Sequence, residues 1–347
     1  MQPRIAIVST IRSPGGPALR SFVRYHRRIG FDRFYLFFDP DDEGAAEVER
    51  LPGVEVVVVD EAYRRQLRRH PYARRYAPLL FETGARVTSP DALTSLQLCN
   101  AATGLDLARR DGVRWLLHVD VDELFWPGEI GAAEHFARLD AISAGSARYI
   151  NHEALPEKPE HDDYFAEMTL FKRNPSDVSE KAAAVTADFW KARGGYFLAY
   201  ANGKAAVRVV EGATPATAHG FQLPRLPLGR CQLSTPCILH YPYTSFARYW
   251  AKHQRLGDFA GDVLLGQRWN PPRFLLDARD RVRDGRVEEA RRCYLETVML
   301  KDRRRIGRME RLGMLMRIEG PQRLLLAMGD QDDPRPDSPI PNQAAES

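Results

Sequence analysis

Three apolar runs separated by a helical pattern and turn residues constrain this chain more than any other feature. Ile5 to Val8, Arg33-Phe-Tyr-Leu-Phe-Phe38 and Val54-Glu-Val-Val-Val-Val59 are short and nearly all apolar. That is the pattern of strands buried on both faces of a parallel sheet. Between the first two, Leu19, Phe22, Val23, His26 and Ile29 fall at helical spacing, and Gly30 ends the helix. Arg12-Ser-Pro-Gly-Gly-Pro17 is a loop of turn residues, and Asp39 and Asp60 stand at strand exits. Strand, helix, strand, helix, strand is the opening of a doubly wound α/β sheet of the nucleotide-binding type.

A fourth strand, Val113-Arg-Trp-Leu-Leu117, is reached through a long helix from Ser89 to Arg110. It runs into His118-Val-Asp-Val-Asp-Glu-Leu-Phe-Trp126. Carboxylates at the end of a buried strand are costly unless something pairs with them. In an open α/β sheet that end is also where ligands bind. On an extended chain Asp120 and Asp122 point the same way and Glu123 the other, where it fixes a loop or meets a second substrate. Together the two aspartates can hold a hard divalent cation, Mn²⁺ or Mg²⁺, and through it a diphosphate. The plainer reading is a solvated turn, but such a turn rarely sits between two apolar segments. Gln97 and Asn100, midway along the long helix, are either exposed or in polar contact near this site.

Further along, a helix is expected near 131–143, a strand near Ala147–Ile150 and another from Tyr164 to Phe171. Between the last two lies a polar loop, Glu153 to Asp163, long enough to serve as an acceptor lid. Asn202-Gly203 between Tyr196–Tyr200 and Ala205–Val210 predicts a hairpin. Phe246 to Leu256 reads as a helix with Phe246, Tyr249, Trp250 and His253 on one face. Two more helices are expected over 284–306 and 308–328, and the polar segment from Gly329 to Ser347 reads as a disordered tail.

Among 347 residues, 44% are hydrophobic and 28% charged, which are globular values. The net charge of +4 excludes a general polyanion binder, and lysine is confined to seven positions. The four cysteines lack zinc-type spacing, and Cys231 and Cys237 are expected as free thiols. No leader is visible, and no apolar run approaches the roughly 18 residues of a membrane span, so a cytoplasmic protein is expected.

The combination of Phe22-Val-Arg-Tyr-His-Arg-Arg-Ile-Gly30, Phe34-Tyr-Leu-Phe-Phe-Asp39, Gln97 with Asn100, and Trp115 to Phe125 resembles the GT-A glycosyltransferases. Asn202-Gly-Lys204, His219, and His240-Tyr241 with Ser245 and Lys252 extend that resemblance, which covers most of residues 4 to 256. Narrowly it is to the group related to glycosyltransferase families 2 and 92. The resemblance implies a Rossmann-like mixed sheet flanked by helices. It implies a catalytic domain over 1–256; the rest of the chain adds nothing to the resemblance and reads as a C-terminal helical extension over 257–328 and the tail beyond. It further implies transfer of a sugar from a nucleotide-diphosphate sugar, a UDP-sugar, to an acceptor hydroxyl on a glycan or other molecule, with inversion. Asp39, Gln97, Asn100, Lys204 and Lys252 would then bind the nucleotide sugar. Asp120, Asp122 and Glu123 would be catalytic, and Asp120, Asp122 and His240 would hold the metal, with His219 the alternative histidine. An inverting transferase needs a base at the acceptor hydroxyl. Asp162, Asp163, Glu153 and Glu180 are the candidates.

Two other readings are open. A metal-dependent nucleotidyltransferase would share the aspartates, but a Gly-rich phosphate loop after the first strand is missing. A non-enzymatic protein could use the arginines of 64–75 and 301–311 to hold an acidic partner. A solvated helix face explains the first of these segments as well. No recognised nucleic-acid module surrounds it, so nucleic acid is not an expected partner.

Overall fold

The computed structural model describes residues 3–12, 16–76, 80, 90–224, 228–256, 263–264, 267–268 and 272–329. The Ser13–Gly15 part of the first loop, Ser89 at the start of the long helix, and the tail from Asp330 lie outside the described residues.

The chain opens as its apolar runs predict. Strands β1 (Ile5–Ile11), β2 (Arg33–Phe38) and β3 (Val54–Val58) are parallel neighbours joined through α1 (Gly16–Arg28) and α2 (Gly44–Val48). α3 (Glu61–Arg69) buries Tyr63 and Leu67 and leaves Arg65, Arg68 and Arg69 exposed, as a solvated face would. α4 (Pro90–Arg110) then leads into β4 (Trp115–His118), which lies parallel to β1 on its other side. Alternation along β1 sends Ile5 and Ile7 to one face, against Leu19 and Phe22 of α1. Ala6 and Val8 go to the other, against Leu96 and Leu105 of α4. Helices therefore cover both faces of this half. α4 runs directly over β1, since a Cβ added at Gly104 would lie 2.7 Å from Val8 Cγ2.

Beyond β4 the sheet becomes mixed. β5 (Glu123–Trp126) and α5 (Ala132–Ala141) are followed by β6 (Ala144–Ala154), which is longer than the sequence pattern suggested. The segment from Tyr164 is not one strand. It forms the short helix α6 (Tyr164–Glu167), capped by the Asp163 carboxylate accepting from Phe165 N–H, and then β7 (Leu170–Lys172). α7 (Glu180–Lys191) precedes β8 (Lys204–Arg208), which lies antiparallel between β4 and β6.

The expected hairpin is absent because Tyr196–Tyr200 carries no strand. The backbone N–H groups of Leu198 and Ala199 go instead to the Glu153 carboxylate, itself paired with Lys172 at 2.7 Å in the interior.

β9 (Thr214–Thr217) and β10 (Gly220–Gln222) form a small ribbon. β11 (Gly229–His240) then runs parallel to β6 and antiparallel to β5. Cys231 and Cys237 are free thiols, as expected.

α8 (Phe246–Leu256) keeps its expected span. β12 (Val263–Leu264) and β13 (Gln267–Arg268) form a second ribbon. α9 (Arg273–Arg283) follows, a helix the sequence reading did not expect. The two long helices expected over 284–306 and 308–328 are in fact three shorter ones: α10 (Val287–Cys293) with a π-helical turn over Tyr294–Val298, α11 (Arg303–Arg311) and α12 (Gly320–Met328). Gly285 and Gly313, both at positive φ, and the Asp302 cap at the start of α11 divide the helical periodicity. Between α11 and α12 runs β14 (Leu315–Arg317), which pairs with β7 and forms one edge of the main sheet. Its order is β14-β7-β6-β8-β4-β1-β2-β3, with β11 and β5 attached at β6. The architecture is a mixed α/β sheet flanked by helices. Among the described residues no helix is long and apolar enough to cross a membrane.

Candidate active site

β4 ends at His118, and the chain then turns rather than continuing extended. Glu123 N–H donates to Asp120 C=O at 3.0 Å, closing the turn, and β5 begins at once. Two neighbouring side chains of α1 fix where it begins. Tyr25 donates its hydroxyl proton to Phe125 C=O at 3.0 Å, and Phe125 N–H donates to His26 Nε2 at 3.0 Å. Burial drives the His26 pKa down to about 3, so the ring is neutral and can accept that bond while its Nδ1–H donates to Phe22 C=O. The antiparallel partner β11 puts His240 opposite Glu123, and Tyr241 N–H donates to Asp122 C=O.

This turn brings the carboxylates together for a different reason from strand alternation. Asp120 Oδ2 lies 2.6 Å from Lys204 Nζ, and Asp120 Oδ1 accepts from Gln97 Nε2 at 3.0 Å. Asp122 Oδ2 lies 3.5 Å from Lys252 Nζ and 3.7 Å from His240 Nε2. Glu123 does not face away. It is fully buried, accepts from Asp120 N–H at 2.8 Å and from the Tyr200 hydroxyl, and lies 3.6 Å from Lys204. The turn curls the chain so that all three acids share one cationic neighbourhood.

The electrostatics follow from burial and charge. Burial alone would raise the pKa of Asp120, but Lys204 outweighs it and holds the carboxyl below its usual range. Asp122 is likewise held low against its burial, by Lys252 and His240. Glu123 goes the other way. Burial pushes it up to about 7, with Asp120 adding to the rise and Lys204 opposing it. Lys204 is only 1% exposed, not the surface residue lysine usually is. Its burial favours the neutral amine, yet the surrounding carboxylates keep it charged.

His240 stacks on Tyr200 with ring centroids 4.6 Å apart, and His219 meets the same ring edge-on. His219 Nδ1 donates to Gly203 C=O at 2.7 Å. Asp39, at the exit of β2, lies 3.4 Å from Arg12 Nε at the exit of β1. Asn100 is fully buried beneath these strands. It donates to Thr10 Oγ1 and accepts from Tyr63 OH, and it is not brought to the carboxylates. Of the four acceptor-side acids, Glu153 is occupied by Lys172 and two backbone N–H groups. Asp163 accepts from Ser21 and Phe165, and Asp162 and Glu180 are exposed.

The sequence reading missed Tyr200, which bonds Glu123 and lies 5.2 Å from Lys204 Nζ. It also passed over Arg12. Tyr200 and Glu123 are 77 residues apart in the chain, so no local pattern marks the contact.

Among the described residues no group of three or more His, Cys, Asp or Glu forms a ready metal cage. The donor chemistry of Asp120, Asp122 and His240 nevertheless fits a divalent ion. Two carboxylates and an imidazole suit Mn²⁺, and Mg²⁺ by the oxygens. His240 is 1% exposed and its Nδ1 has no hydrogen-bond partner among the described residues.

No family profile matches the chain. Over 348 aligned residues it is 28% identical to a glycosyltransferase-like protein of Arabidopsis thaliana, covering 92% of this chain and 71% of the relative. A second glycosyltransferase-like protein of that plant is 28% identical over 266 residues, covering 74% of this chain and 50% of the relative. Among solved structures, the mannosyltransferase Ktr4p from S. cerevisiae overlays with a TM-score of 0.26 at 10% identity, over 56% of this chain and 46% of its own. Rv0371c from Mycobacterium tuberculosis gives 0.27 at 13% identity, over 74% and 98%. Along nine-tenths of its length this chain is similar to a protein described as glycosyltransferase-like.

Proposed function

We propose that this protein is a GT-A-type glycosyltransferase that moves a sugar from a nucleoside diphosphate sugar, a UDP-sugar, to an acceptor hydroxyl with inversion. The observation that carries this is the convergence of Asp120 and Asp122 with Lys204 and Lys252 where β4 leaves the sheet. The glycosyltransferase-like relatives support the same reading.

Breaking a sugar–diphosphate bond leaves a multiply charged phosphate. The catalytic work is to neutralise that charge as it develops. Asp120, Asp122 and His240 would hold a Mn²⁺ or Mg²⁺ ion, whose Lewis acidity serves this purpose. Lys204 and Lys252 add two fixed positive charges beside the same carboxylates. Gln97 fixes the orientation of Asp120. Glu123 holds both the Asp120 backbone and Tyr200, so its part is to keep the turn and the aromatic ring in place. Asp39 with Arg12, at the exits of β2 and β1, receives the nucleoside end of the donor. With Glu153 locked in its ion pair, Asp162, Asp163 and Glu180 are the acids left for the acceptor side.

A thermal-shift panel of nucleotide sugars with and without Mn²⁺, on wild type and Asp122→Ala, tests this. Ligand at 100 times its Kd stabilises the folded state by about 2.7 kcal/mol. A UDP-sugar should therefore raise the Tm of the wild type in the presence of the ion, and Asp122→Ala should abolish the rise. If no nucleotide moves the wild-type Tm with any divalent ion, the reading fails. A metal-indifferent rise would assign the charge neutralisation to Lys204 and Lys252 alone.

A further inference from the structure

A cleft of about 780 Å³ opens between α7, the turn that follows it and α9, and none of the carboxylate-site residues lines it. Ligand pockets for drug-sized molecules span roughly 300–1,000 Å³. Val178, Phe274 and Met314 make its lining largely apolar, and Trp190 and Tyr196 add two aromatic rings with centroids 5.1 Å apart. The wall is closely built. Gly194 reverses the chain at φ +78°, and a Cβ there would lie 3.1 Å from Phe274 Cβ.

The charged residues lining the cleft are Lys191, Arg273 and Arg281 against one carboxylate, Asp277. Arg273 lies 3.8 Å from Asp277, so the remaining charge is positive.

We propose that this cleft binds a small amphipathic anion. An aromatic or alicyclic body packs against the wall of Trp190, Tyr196 and Phe274, and one acidic group meets Lys191 and Arg281. The inference stands whether or not the transferase reading holds.

The probe is 8-anilinonaphthalene-1-sulfonate, an aromatic body with a single sulfonate, titrated into the full chain and followed by its fluorescence. We expect saturable binding of one equivalent that weakens with salt. Ala187→Trp, which adds a ring from an exposed position lining the cleft, should lower affinity at least tenfold. Arg281→Glu should do the same, and Asp122→Ala should leave binding unchanged. Circular dichroism and Tm check the fold of each variant. If Ala187→Trp does not fold, Ala183→Phe, from a second exposed position lining the cleft, replaces it. Binding that fails to saturate, that Ala187→Trp and Arg281→Glu leave unaltered, or that Asp122→Ala abolishes overturns the proposal.

Discussion

Lys204 decides the state of the carboxylates at the residue scale. It is buried beside Asp120 and Glu123, so replacing it leaves uncompensated charge in the interior. Breaking a buried pair by removing one partner costs about 3–5 kcal/mol. We expect Lys204→Met to lose that much stability in urea unfolding, and Asp120→Asn in the same chain to restore part of it. Additive losses in the double variant would refute the coupling.

Glu123 makes a pH prediction of definite sign. Its folded pKa, about 7, lies above the ordinary 4.5, so the folded state binds its proton more tightly than the unfolded state. Stability should therefore fall as pH rises from about 4.5 to 7, by up to roughly 3 kcal/mol. Glu123→Gln should flatten the unfolding free energy across that window. Asp120 and Asp122 act below it, because their depressed pKa values add stability that is lost only as pH falls beneath the usual carboxylate range.

At the scale of elements, the turn into β8 is the least tolerant point near the site. Gly203 has φ +68°, and a Cβ there would lie 1.8 Å from Tyr149 C=O. Its N–H donates to Asn151 Oδ1, which locks the turn onto β6. Gly203→Ala should cost about 3 kcal/mol or more through strain and displaced backbone. Because Lys204 follows directly, the nucleotide-dependent Tm shift should vanish with it, and a variant of wild-type Tm would contradict this account.

The Asn-Gly pair was visible in the sequence as a turn, but its partner strand was not. A hairpin needs both flanking segments free to pair with each other. Here Leu198 and Ala199 give their N–H groups to a buried carboxylate 45 and 46 residues away. Asp120 to Glu123 teaches the same lesson. The sequence marked the acids, but the Glu123 N–H bond to Asp120 C=O made a turn of what alternation had treated as a strand.

For the molecule as a whole, the C-terminal segment is tied into the sheet. β14 is hydrogen-bonded to β7, Leu325 and Met328 of α12 belong to the main core, and the helix packs against α1 and α6. Removing everything after Asp302 would also expose Ile306, Met309 and Leu315 partners around Trp190. We expect that truncation to yield no cooperative thermal transition. A truncated chain melting near the wild-type Tm would establish an independently folding domain upstream.

By itself the sequence determined the parallel half of the sheet, the helices α1, α4 and α8, and the carboxylates at the exit of β4. Those features are local, because apolar period, turn residues and strand-end acids are each written within a dozen or two neighbouring positions. Tertiary structure alone decided which lysine meets which aspartate, that Tyr200 seals Glu123, that Glu153 is an ion-paired clamp and that β14 edges the sheet. Each of these rests on burial and on contacts between residues far apart in the chain. Burial sets the charge state of a carboxylate, and long-range pairing sets the path of the backbone, and neither leaves a local trace in the order of residues.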